Sequence, residues 1–190
     1  MKEKIFPLIF LFLFSGVVVS QAQTLKEYFD SYFNNSTSIT SNIDSLTGRD
    51  FSSQEMLAVS KSYPGSGLGI ENTQGNFGVD VSSNNSKILI LLKTVSRKNI
   101  HHILDVACLT LGTDEDIFVE QILIQSKYNK KGAVESPSEI GLLVCKAGVP
   151  VPTDKRIVPT YIITVGPDAK LQIRKPSDDS KFIFVQGGYI

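Results

Sequence analysis

The run Ile88-Leu-Ile-Leu-Leu92 constrains this chain more than any other stretch. Five apolar residues follow one another without a polar partner, and most of them are branched. Side chains of a strand point alternately to its two faces, so such a run predicts a strand covered on both sides. The turn cluster Ser82-Ser-Asn-Asn-Ser86 comes just before it, and the alternating Phe77-Gly-Val-Asp-Val81 comes before that. Together they predict a hairpin in which Lys87–Val95 is the central strand.

After Val95 the apolar period changes. Ile100, Ile103, Leu104, Ala107, Cys108 and Leu111 recur at helical spacing. The pattern predicts a core helix over 100–111, closed by Gly112. Thr113 then stands where a cap belongs, with Asp114, Glu115 and Asp116 in the first turn of a second helix. Ile117 to Ile124 fits either a continuation of that helix or a turn of helix followed by a strand, and the helix is the reading adopted.

The flanks are read in the same way. Thr24 and Glu27 have capping-box spacing, and Leu25, Tyr28, Phe29, Tyr32 and Phe33 form one apolar stripe, predicting an N-terminal helix that closes the core. The segment 34–50 is polar and reads as a long loop. Ser52 and Glu55 open a second short helix that Pro64-Gly65 ends, and Gly65-Ser-Gly-Leu-Gly69 reads as a flexible turn before a weak strand. Strands are expected at 140–145, 157–165, 171–174 and 182–185, the last three as an antiparallel meander. The order predicts a single α+β domain over 23–190. Its sheet is mostly antiparallel with a C-terminal meander, and it is covered by two central helices plus the N-terminal helix.

Residues 1–22 stand apart. Lys2 and Lys4 precede an apolar run from Ile5 to Val19, and the small residues Ser20 and Ala22 follow. This is the pattern of a secretory signal peptide cut after Ala22. It predicts an exported protein, periplasmic or extracellular, with no stable membrane span once the signal is removed. The 19 basic and 19 acidic residues balance, without long runs of one sign. That excludes the basic footprint of a nucleic-acid binder.

Few residues could carry chemistry. The two histidines, His101 and His102, lie close to Asp105. On a helix His101 and Asp105 would share a face, where a carboxylate can orient an imidazole as a general base. Two ligands do not make a zinc site, which needs three or four, and the acidic triplet at 114–116 fits a helix N-terminus better than a metal. No metal or cofactor is implied. Cys108 and Cys145 form an even pair in an exported chain and are the disulfide candidates; closing that loop would stabilise the fold by about 4 kcal/mol. Their apolar neighbours argue against a nucleophilic thiol. The glycine-rich 65–69 lacks the Lys-Ser/Thr pair of a phosphate-binding loop.

Export, one small domain, neutral charge and no convergent catalytic set lead to a non-enzymatic binding or interaction protein. One form of it is an inhibitor or immunity-type protein acting on a secreted or periplasmic protein partner. A small hydrolase using the His/Asp pair and an envelope or surface structural component are the rival expectations.

Overall fold

The computed structural model describes residues 23–34, 43–63, 65–111, 119–126, 138–150, 156–177 and 182–183. The signal segment, the acidic triplet and part of the polar loop lie outside these. The described residues form an α+β fold with antiparallel pairing throughout. Helix α1 is Leu25–Asn34 and α2 is Ser53–Ser62. A five-stranded sheet has the order β1 (Asp50–Ser52), β5 (Ile100–Thr110), β4 (Lys87–Val95), β3 (Gly75–Asn84), β2 (Gly65–Asn72). A four-stranded sheet runs β10 (Leu171–Arg174), β9 (Tyr161–Val165), β7 (Ile140–Lys146), β6 (Val119–Ser126), and β11 (Phe182–Ile183) pairs with β8 (Arg156–Ile157).

Strand β4 is the centre of the molecule. Leu89 and Leu91 point under the helices, into a cluster with Leu25, Phe29, Tyr63 and Val59. Ile88, Ile90 and Leu92 point the other way, into a cluster with Leu142, Ile163 and Val165 of the second sheet. All five are at most 1% exposed, because a helical layer covers one face and a sheet covers the other. The β3–β4 hairpin turns through Asn85, whose φ of 52° suits asparagine.

The two α-helices among the described residues are the N-terminal ones. Thr24 and Glu27 form the expected cap: the Thr24 N–H donates to the Glu27 carboxylate at 2.7 Å and the Glu27 N–H donates to the Thr24 hydroxyl at 3.3 Å. The aromatic stripe of α1 is buried as anticipated, and Ser52 and Glu55 form the capping box of α2. Phe33 and Tyr63 stack with centroids 4.7 Å apart, joining the two helices.

Neither central helix is found among the described residues. Residues 100–110 are β5, paired with β4, and 119–126 are β6, paired with β7; the cap at 113 lies outside the described residues. The reason for β5 is a bulge. Leu92 faces Asp105 while Lys93 faces Ile103, so Leu104 is an extra residue on β5. Ile103, Val106 and Cys108 then pack under the helices, and Leu104, Ala107 and Leu109 pack between the sheets. A strand covered on both faces and carrying one bulge reproduces the i, i+3, i+4 spacing of a helix.

Three smaller expectations also change. The segment 43–50 is not a bare polar excursion: Ile43, just before a short 3-10 turn at Asp44–Leu46, and Leu46, its last residue, are at most 1% exposed. Residues 65–69 are strand rather than turn. In the C-terminal part, β9 and β10 form the expected hairpin, but β11 crosses to β8. The sheets are tied at two points: the Asn72 amide donates to the Val165 and Gly166 carbonyls, and the Leu171 N–H donates to the Asp105 carboxylate at 2.7 Å.

Candidate functional site

A groove of about 350 Å³ runs between α2 and the five-stranded sheet. Its upper wall is one stripe of α2, Ser53, Met56, Leu57 and Ser60, ending at Tyr63. These recur at helical spacing and therefore share a side of the helix. The floor is mostly sheet: Gly65 and Gly67 of β2, Asp80 and Ser82 of β3, and Leu91 of β4, with His101 of β5 at the end near Ser53.

The groove exists because β2 offers no side chains to fill it. Gly65 stands opposite Ser82, Gly67 opposite Asp80 and Gly69 opposite Gly78, so the three glycines fall on the helix-facing side while Leu68 and Ile70 face the other sheet. Steric demand explains two of them. A Cβ on Gly65 would stand 2.2 Å from the Val81 carbonyl oxygen, and one on Gly67 would stand 2.6 Å from an Asp80 carboxylate oxygen. Gly78 leaves room for the Lys93 stem, which reaches across it to an ion pair with Asp80.

The charged groups of the groove are paired, and one polar atom is left over. Lys93, with a side chain only 11% exposed, is neutralised by Asp80. Ser53 Oγ donates to the Asn99 carbonyl at 3.1 Å and lies 3.0 Å from His101 Nε2. With its proton on Asn99, the Ser53 oxygen accepts from His101, which places the ring proton on Nε2 and leaves Nδ1 an acceptor. That Nδ1 is buried without a hydrogen-bond partner among the described residues. Burial first, and then the nearby Lys93 charge, hold the His101 pKa below its ordinary 6.5, so the ring is neutral.

The sequence-predicted set is dispersed. His102 faces away from His101 and pairs through Nδ1 with the Asp50 carboxylate at 2.6 Å. Asp105 holds the second sheet through the Leu171 N–H and Lys170. A His101–Asp105 dyad is therefore not formed. The Cys108–Cys145 bridge is not formed either: both residues are thiols, Cys108 packed under the helices and Cys145 buried on the far side of the second sheet with Leu143 and Phe182. Burial pushes the Cys108 thiol up to about 11, which removes it as a nucleophile near neutral pH. Tyr63, at the far end of the groove, donates to Asp30 at 2.6 Å and so ties α1 to the end of α2.

Among the described residues no group of three or more His, Cys, Asp or Glu side chains could hold a metal ion, and no helix is long and apolar enough to cross a membrane. Sequence analysis missed the groove. Its one local signal was glycine at every second position of 65–69, which in a strand strips one face of side chains.

Comparison with known proteins adds no relative: no family model matches the chain, and neither a curated protein nor a solved structure is similar to it.

Proposed function

We propose that this is an exported, non-catalytic binding protein whose recognition site is the groove beneath α2. The observation that carries the reading is the combination of volume and lining. About 350 Å³ of largely apolar space, with a few polar groups in its lining and Ser53 beside His101 at one end, is the ordinary form of a ligand site. The charged n-region, apolar run and small residues of 1–22 support export.

The hydrolase reading draws on Ser53 and His101, whose side chains touch at 3.0 Å. Two features oppose it. The Ser53 proton is directed at Asn99 rather than at the ring, and no carboxylate hydrogen-bonds the imidazole.

The test uses the full chain expressed with its signal segment in its native host, in two forms, wild type and Ser60→Phe. Ser60 lines the groove but is exposed, so a phenyl ring there obstructs the site without loading the core. Both forms are purified and examined by mass spectrometry for bound protein and, after solvent extraction, for bound small molecules. A stoichiometric companion present on wild type and missing from Ser60→Phe supports the reading, and its nature separates the inhibitor form from a small-ligand form. A companion retained equally by both, or none on either, overturns the groove as the recognition site.

A further inference from the structure

The shape and charge of the groove select a ligand class; this step rests on the binding reading above and deepens it. Helix α2 has ten residues and so is about 15 Å long, and the lining stripe runs from Ser53 at its start to Tyr63 just past its end. A volume of about 350 Å³ spread along that length makes a channel rather than a bowl. Its middle is largely apolar: Met56, Leu57 and Val59 above and Leu91 below, with the bare β2 glycines along one side and the Asp80 carboxylate beside Leu91 neutralised by Lys93. Leu57, 54% exposed, stands at the rim, where it would fold over an occupant.

The polar end carries no unmatched charge. Lys93 is paired with Asp80, His101 is neutral, and the Glu55 carboxylate at the start of α2 is taken by the Ser52 N–H and hydroxyl. An anionic head there would meet the Asp80 carboxylate, and Lys93, the cation paired with it, is already neutralised. A cationic head would have to compete with Lys93 for Asp80. Placing either charge at this end costs desolvation that no group repays. Ser53 and neutral His101 instead suit a hydroxyl or amide. We propose that the groove binds a neutral single-chain amphiphile, its alkyl chain lying along α2 and its uncharged polar end at Ser53 and His101.

The test is displacement of a neutral solvatochromic dye, Nile red, from the purified chain lacking 1–22 and from Ser60→Phe, after thermal melting has shown both folded. The competitors are 1-decanol, decanoate and decylammonium, which share one chain and differ in head charge. The expected result is dye binding to wild type, at least tenfold weaker binding to Ser60→Phe, and displacement by decanol at about one-tenth the concentration needed for either ion. Equal or better displacement by decanoate or decylammonium overturns the neutral-head assignment while leaving the groove as a site. Dye binding that Ser60→Phe does not weaken, or no dye binding at all, overturns the alkyl-chain assignment; the native-host purification then judges the binding reading separately.

Discussion

His101 and Asp105, four residues apart on one strand, lie on opposite faces of the five-stranded sheet. His101 closes the groove under α2, while Asp105 reaches the second sheet and accepts from the Leu171 N–H at 2.7 Å. The extra residue Leu104 makes the difference, because a bulge turns the following side chains over. Asp105→Asn should therefore leave the His101 titration unchanged in an NMR pH series. A shift of the His101 midpoint in that variant would mean that the two groups are coupled after all.

The buried ring makes stability depend on pH in a definite direction. The folded His101 pKa lies below the ordinary 6.5, so the unfolded chain takes up a proton more readily than the folded one. The stability this group contributes is complete above pH 6.5 and is lost as pH falls from there toward the folded pKa. Ser53, Lys93 and Asp80 face it; His102 and its partner Asp50 lie on the other side of the strand. Urea denaturation of wild type and His101→Gln at about pH 7.5 and about pH 5 checks this: the loss on acidification should be smaller in the variant. An equal loss in both would assign the effect elsewhere.

The Asp80–Lys93 pair is held where water reaches it poorly. Asp80→Ala leaves an ammonium in a side chain only 11% exposed and should cost roughly 3 kcal/mol in chemical denaturation. The double change Asp80→Leu with Lys93→Met removes both charges and should recover most of that loss. A single variant as stable as wild type would show that Lys93 finds solvent by moving its stem away from Gly78.

Gly141 of β7 is in contact with the Phe182 ring. A Cβ there would stand 2.7 Å from the ring carbon Cγ, and Phe182 is only 2% exposed. Gly141→Ala should displace β11 and cost roughly 2 kcal/mol, or about 6 °C in Tm. Phe182→Leu in the same chain should return part of the loss. Calorimetry of the three proteins decides the matter, and an unchanged Tm for Gly141→Ala would contradict the packing.

The two cysteines should behave as unbridged thiols. Mass spectrometry of the folded chain after air oxidation should give the reduced mass. Alkylation of Cys108 at about pH 8 should be far slower in the folded protein than in urea, because burial holds its pKa at about 11. An intramolecular disulfide in protein recovered from its native host would overturn the separation of Cys108 and Cys145.

What the sequence determined by itself is local. Thr24 with Glu27 and Ser52 with Glu55 cap their helices through neighbours three residues away. The aromatic stripe of α1 buries one face, and the Asn84–Ser86 turn closes its hairpin, for similarly short-range reasons. The run Ile88–Leu92 requires cover on both faces wherever that cover comes from, so its role as the central strand was legible too.

Only the tertiary structure decided what covers that run. Ile100–Thr110 is strand because β4 and β1 supply its hydrogen bonds and because two layers bury its two faces, and neither partner is visible in its own spacing. The groove is likewise non-local. Ser53, Gly67, Asp80, Leu91 and His101 meet only when the sheet forms and α2 is laid across it. Helix signals lie within a turn or two of the chain, whereas strand pairing, face assignment and cavities are set by contacts between distant segments, so a single bulge can disguise a strand as a helix.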